Sequence, residues 1–324
     1  MAGRQLKELF RAFHAHDELA FRRSAQEIIE EEEAKHHFAL ARDLERLLTA
    51  HGQAVDIGST AILPEPPKDR EGEWPLAEVR IPERTLDELV IPPRTDKLLR
   101  GVIKEVAHWA ELDRSGVPRR QRVLFQGPPG CGKTSAAEAV AAELGWPFVL
   151  VRLDAVVSSY LGETASNLRR VLEYADQSQF VVLFDEFDSL GRSRDDTAEH
   201  GEMKRVITAF LQMIDKYHGP SLILAATNHP GLLDPALWRR FDEVTEFPYP
   251  TVHELRRLLR LRLRSVVHTG VDVEKLASAL KGYPHAAAEK VVWDARRTAI
   301  LAGRRDVHPE DAVGALEGVL SRPW

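Results

Sequence analysis

Residues Val123 to Thr134 read VLFQGPPGCGKT, and Ser135 to Leu144 continue as SAAEAVAAEL. Four residues suited to a buried strand run into a glycine-rich loop, and a helical pattern follows. Gly127, Gly132, Lys133 and Thr134 occupy the fixed positions of G-x-x-x-x-G-K-[ST], in the strand–loop–helix context that this phosphate-binding motif requires. The chemistry explains the residue types. A polyphosphate is dense negative charge, and backbone N–H groups with few side chains in the way can wrap it. The N-terminus of the following helix adds its partial positive charge. Lys133 is placed to reach the β- and γ-phosphates, and the Thr134 hydroxyl to ligate Mg²⁺. The nucleotide-binding segment is therefore Gly127 to Ser135, including Pro128, Pro129, Gly130 and Cys131. Taken alone, it selects a nucleoside triphosphate, ATP or GTP.

Composition bounds what the rest can be. A chain of 324 residues can bury a sizeable core and suits two or three domains. A formal net charge of −6 supplies no basic field for nucleic acid. The single cysteine, Cys131, excludes an internal disulfide framework and a zinc cluster and fits a reducing compartment. At a helix N-terminus its thiol pKa could fall; the plainer expectation is a small side chain tolerated in the loop. The first residues, MAGRQLKELFRAFHAHDE, carry no apolar leader core, and no run approaches membrane-spanning length. A soluble, cytoplasmic protein without a membrane partner is expected.

Outward from the loop, apolar runs alternate with helical patterns. PFVLVRL (147–153), FVVLF (180–184), SLILAAT (221–227) and Val244 to Phe247 read as further strands. Helical patterns cover Thr95 to Leu112, the stretch after Tyr160, and a segment ending near Ile214. Strands alternating with helices predict an α/β fold, a parallel sheet with helices on both faces. From Val252 onward the pattern is all helical, a separate lid subdomain. Before the sheet, Pro64, Pro66, Pro67, Pro75 and Pro82 make residues 53–84 linker-like, with Ala77 to Ile81 one short strand. Residues 1–52 show apolar spacing of helices, including Leu6, Leu9, Phe10 and Phe13. The expected organisation is a small N-terminal helical recruitment domain (1–52), a linker (53–84), an ATPase subdomain (85–250) and the helical lid (251–324).

The FVVLF run ends in Asp185-Glu186, which puts two carboxylates at the sheet's C-terminal edge, where ligands of such sheets bind. Asp185 is expected in the Mg²⁺ shell. Glu186 is expected to polarise the attacking water as general base.

GPPGCGKT, SYLGET, VVLFDEFD, HGEMKR, LAATN and LDPALWRRFD, in that order, resemble the AAA clade of the AAA+ ATPases, in its single-ring bacterial form. The resemblance covers roughly Thr85 to Trp324. It implies ATP hydrolysis with Mg²⁺, a ring-shaped homo-oligomer (a hexamer), and remodelling, unfolding or threading of an unidentified protein substrate through a central pore. Tyr160, Leu161 and Gly162 stand where the family has its aromatic pore loop, with Gly162 at the turn. Residues 192–200 stand at the second pore loop. Asn228 stands where the family's sensor reads the attacking water or γ-phosphate. Arg240, with Arg239 as a stand-in partner, matches the arginine that reaches a neighbouring subunit's γ-phosphate. Glu243 replaces the usual second arginine, and His285 replaces a glycine beside the adenine site; a structural role is expected for His285. Two rival readings are a DNA-directed ATPase, against which the acidic balance stands, and a nucleotide-gated scaffold that activates a separately encoded partner such as a protease. H-E-x-x-H and G-x-S-x-G are absent from the sequence.

Overall fold

VVLF and LILAAT are continuous apolar runs because they are strands with no solvent face: β4 (Val181–Phe184) and β5 (Leu222–Thr227) are buried at every residue. They form the middle of a six-stranded sheet with β1 (Ala77–Arg80), β2 (Arg122–Gln126), β3 (Phe148–Val151) and β6 (Glu243–Glu246), in the order β1-β3-β4-β5-β2-β6. All pairings are parallel except β1 with β3. The computed structural model describes residues 64–69, 74–157, 161–187, 210–232 and 238–324, with positions 21, 24, 25, 27 and 28. Contacts divide the chain into two units, Met1–Leu63 and Pro64–Trp324; the second carries all that follows. Apart from those five positions, the expected N-terminal helical domain lies outside the described residues.

Helices α1 (Pro93–Val106), α2 (Trp109–Arg114), α3 (Lys133–Leu144) and α4 (Leu161–Ala175) accompany the sheet. Two apolar clusters flank it. One gathers Leu168, Val171, Phe184, Phe187 and Phe210; the other gathers Leu99, Val102, Phe125, Val140 and Phe247. The lid is four helices, α5 (Val252–Leu263), α6 (Val273–Ala279), α7 (His285–Leu301) and α8 (Pro309–Leu320), around a third core. Its entry is fixed by a capping box in which the Glu254 N–H donates to Thr251 Oγ1 at 3.2 Å and the Thr251 N–H to Glu254 Oε2 at 2.8 Å.

Two expectations are corrected, and one is met. The helix expected over 95–112 is two helices: α1 stops at Val106, and the His108 ring bonds the Lys104 carbonyl at 2.8 Å, while Trp109 is buried under the sheet's second core. The short strand expected at Ala77 to Ile81 is β1, whose Ala77 is buried and whose register sets Ala77 opposite Val151. Gly162 stands in the first turn of α4 and not at a loop turn, because the helical spacing that buries Leu168, Val171 and Ala175 continues back through it.

The segment before α1 ties sheet and lid together. Successive residues of an extended chain face opposite ways. Leu89 and Ile91 accordingly pack into the sheet's core and Val90 between them into the lid's.

Candidate active site

Three strand ends build the site. β4, β5 and β2 lie side by side and parallel, with Phe184 opposite Ala225 and Gln126 opposite Thr227. Their C-terminal ends bring Asp185 and Glu186, Asn228 and Gly127 to one edge. The loop leaves β2 at Gly127, whose φ is +144° and on which a Cβ would stand 2.2 Å from the Phe247 carbonyl oxygen at the end of β6. Only glycine fits there. The loop then turns into α3 at Lys133.

Lys133 is buried, yet its ammonium is fully engaged by oxygen. It donates to the carbonyls of Gly127 (2.7 Å) and Pro128 (2.9 Å) and to Asn228 Oδ1 (2.7 Å). The cation that the motif supplies is thus joined directly to the amide at the tip of β5. Thr134 Oγ1 donates to Asp185 Oδ2 at 2.5 Å, and the other carboxylate oxygen accepts from the Glu186 N–H at 2.9 Å. Glu186 itself is exposed and holds φ +49°. A non-glycine residue in this left-handed region costs about 1–3 kcal/mol, and such strain collects at functional positions.

The donor set at Thr134 and Asp185 suits Mg²⁺. A hydroxyl and a carboxylate at the mouth of the phosphate loop are hard oxygen donors, which suit this cation. Among the described residues no group of three His, Cys, Asp or Glu side chains forms a protein cage.

These groups line a cleft of about 250 Å³ together with Val90, Ile91, Leu258 and His285. The lid reaches the phosphate loop directly: the Ala286 N–H donates to the Gly130 carbonyl at 3.0 Å. Gly130 has φ +70°, and a Cβ on it would come within 3.1 Å of Ala286 Cβ. His285 is 8% exposed, and among the described residues neither ring nitrogen has a partner in good hydrogen-bond geometry. Burial pushes its pKa down, opposed by Glu254, Glu289 and the Val90 backbone. Cys131 is buried, and burial pushes its thiol up to about 11 despite the Lys133 charge and the His285 backbone. It is an unreactive small side chain at neutral pH, in line with the plainer expectation.

The structure also adds residues that the sequence reading did not single out. Arg84 lines the cleft, as do Arg262 and Glu289, which pair at 2.6 Å. Arg262 stands among five arginines between positions 256 and 264, and no spacing marks it out.

Arg239 and Arg240 are not brought into this cleft. Both are exposed. Arg240 pairs with Asp215, which also faces Arg122 at 3.4 Å; Arg122 in turn holds Asp242 at 2.6 Å. Asp242 accepts as well from the backbone N–H groups of Gln121 and Arg122, both at 2.9 Å. Arg240 is therefore held beside the N-terminal end of β2, opposite to the end that carries the phosphate loop. Tyr160 and residues 192–200 lie outside the described residues, and of Leu161 and Gly162 only the backbone is described.

Residues 123–249 match the family model described as "ATPase family associated with various cellular activities (AAA)". The chain is 39% identical, over 98% of its length and 95% of the relative's, to an uncharacterised AAA family ATPase of Sinorhizobium fredii. It is 34% identical to the proteasome-activating nucleotidase of Pyrococcus furiosus, over 69% of the chain and 58% of that protein. It is 30% identical to an ATP-dependent zinc metalloprotease of Sphaerobacter thermophilus, over 76% of the chain and 52% of that protein. The chain thus spans little more than half of these last two relatives.

Proposed function

Because the chain belongs to the AAA family of ATPases and hydrolyses ATP, we propose that it couples turnover in this cleft to remodelling of a protein substrate by a ring-shaped homo-oligomer, a hexamer. The observation that carries the reading is the convergence of Lys133, Thr134, Asp185 and Asn228 within hydrogen-bond reach, with Glu186 beside them in strained backbone. Lys133 and the N–H groups of Gly130 to Ser135 bind the phosphates. Thr134 and Asp185 hold Mg²⁺, which when bound neutralises charge on the phosphoryl oxygens. Glu186 takes the proton of the attacking water. A γ-phosphate competes for the Lys133 ammonium and frees Asn228 Oδ1 to orient that water. Arg240 acts on the phosphate of a neighbouring subunit, and Tyr160 with Leu161 and Gly162 grips an extended polypeptide. The names of two relatives, a proteasome-activating nucleotidase and a metalloprotease, support a polypeptide as substrate and leave room for a separately encoded protease as partner.

The test is ATP turnover by the full chain with a permanently unfolded polypeptide or with DNA. Turnover should rise several-fold with the polypeptide and not with DNA. Tyr160→Ala should keep the basal rate and lose the stimulation. Stimulation by DNA alone would replace this reading with the DNA-directed one. Basal turnover without any response to polypeptide, in wild type and Tyr160→Ala alike, would favour the scaffold.

A further inference from the structure

The lid side of the cleft carries a charge pair that phosphate binding does not use. Glu289 Oε1 accepts from Arg262 Nε at 2.7 Å and from Arg262 Nη2 at 2.6 Å. The arginine side chain is 13% exposed and the glutamate 31%. Among the described residues no hydrogen bond reaches Glu289 Oε2. Taking such a pair out of water is repaid only when the remaining lone pairs also find donors. Both residues line the cleft, so the second oxygen is open to a donor from there. Its place along the cleft follows from α7. The Ala286 N–H is bonded to the Gly130 carbonyl at 3.0 Å, so this turn of the helix touches the phosphate loop. Glu289 comes three residues later, on the same face and about 4.5 Å further along the axis. Lys133 and Thr134 mark the phosphate end. In a nucleoside triphosphate the group that follows the phosphates is the sugar.

Resting on the reading of this cleft as the nucleotide site, we propose that Glu289 reads the sugar: its second carboxylate oxygen accepts from the ribose hydroxyls, and Arg262 holds the carboxylate in position. An ionised carboxylate only accepts, so its ligand must donate. Phosphate oxygens offer no proton and carry the same sign of charge. The two vicinal hydroxyls of ribose are donors, and acidic side chains hold the ribose of bound dinucleotides in other α/β folds. The contact gives the site a preference for a ribonucleotide over a dideoxynucleotide with the same base and phosphates. A site built to pair with a hydroxyl rejects the analogue that lacks it. The exocyclic amine of adenine is the other donor on ATP; ITP lacks it and keeps the ribose.

The experiment measures equilibrium binding of ATP, 2′,3′-dideoxy-ATP, ITP and inorganic tripolyphosphate to the full chain as wild type, Glu289→Ala and Glu289→Gln, with Lys133→Ala as control. Wild type should favour ATP over dideoxy-ATP by roughly tenfold or more. Glu289→Ala should bring these two within about threefold of each other and leave tripolyphosphate binding unchanged. Glu289→Gln keeps an acceptor and a partner for Arg262, and its preference should fall between the two; it decides alone if Glu289→Ala does not fold. An ATP-to-dideoxy-ATP ratio unchanged in the variants would overturn the proposal. So would a change confined to the ATP-to-ITP ratio, which would assign the carboxylate to the amine, or a parallel loss of all four ligands in both variants, which would mark a structural role. Lys133→Ala should lose all four ligands; binding retained there would instead overturn the reading of the cleft itself.

Discussion

Glu186 combines two properties that rarely meet in one residue: a left-handed backbone at φ +49° and a side chain free to face an edge where phosphate chemistry is expected. Glutamine keeps the length of the side chain and tolerates the same backbone, but it cannot take a proton. Glu186→Gln should therefore retain ATP binding and unfold at the same urea midpoint as wild type, while phosphate release slows by about 10²–10⁴. Release at the wild-type rate would assign the base elsewhere. A second residue-scale effect lies in the lid. The Arg304 guanidinium grips Asp311 at 2.7 and 2.8 Å, and the His308 N–H adds a third bond, which together hold the Asp311 carboxyl down to about 2. The folded value lies below the unfolded one, so the stabilisation is complete above about pH 4 and disappears as pH falls toward 2. Asp311→Asn should melt below wild type at pH 6, and the gap between the two should close on acidification. A gap constant from pH 6 to the acid limit would show that the charge contributes nothing.

At the scale of elements, the join between β2 and the phosphate loop is the least tolerant point. A Cβ at Gly127 meets backbone, the Phe247 carbonyl oxygen at 2.2 Å, which cannot swing aside as a side chain would. Gly127→Ala should lose about 2–4 kcal/mol of stability in urea unfolding, from the clash and the positive φ together. Gly101→Ala, at a position with open space around it, serves as the control and should cost nothing. The central strands were legible in the sequence because strands buried on both faces become unbroken apolar runs. β1 was faint because an edge strand with charged residues, AEVR, looks like the linker around it. The break between α1 and α2 was invisible, since apolar spacing runs through Ala107 and His108 without a glycine or proline. In the site, Lys133, Thr134, Asp185 and Glu186 were legible from fixed spacing and strand ends. The Lys133–Asn228 contact, the orphaned His285 ring and the Arg262–Glu289 pair were not. Each depends on which strands become neighbours or on how the lid closes over the loop, and neither leaves a local pattern.

At the scale of the whole molecule, Arg240 and the phosphate loop belong to opposite ends of β2. Within a single chain Arg240 has no route to the cleft, and the proposed ring supplies one by setting each cleft against a neighbour's arginine. Arg240→Ala and Lys133→Ala should each be inactive alone. Mixed in equal amounts they should recover turnover, because roughly a quarter of randomly formed head-to-tail interfaces pair an intact cleft with an intact arginine. No recovery, with assembly retained, would remove Arg240 from the role in trans. The order of the strands has one more consequence. β2 carries the phosphate loop, yet its two ladder partners, β5 and β6, are Leu222–Thr227 and Glu243–Glu246, both far downstream. On the ribosome, VLFQ emerges about a hundred residues before anything exists for it to pair with. Until residue 227 is made, the growing chain carries an unpaired apolar strand with both edges open, and one edge stays open until residue 246, the kind of surface that chaperones cover and that aggregates when they do not. Nucleotide binding is therefore acquired late in the birth of each molecule. A ribosome that stalls between residues 135 and 222 leaves a product that carries the whole phosphate motif and has no site.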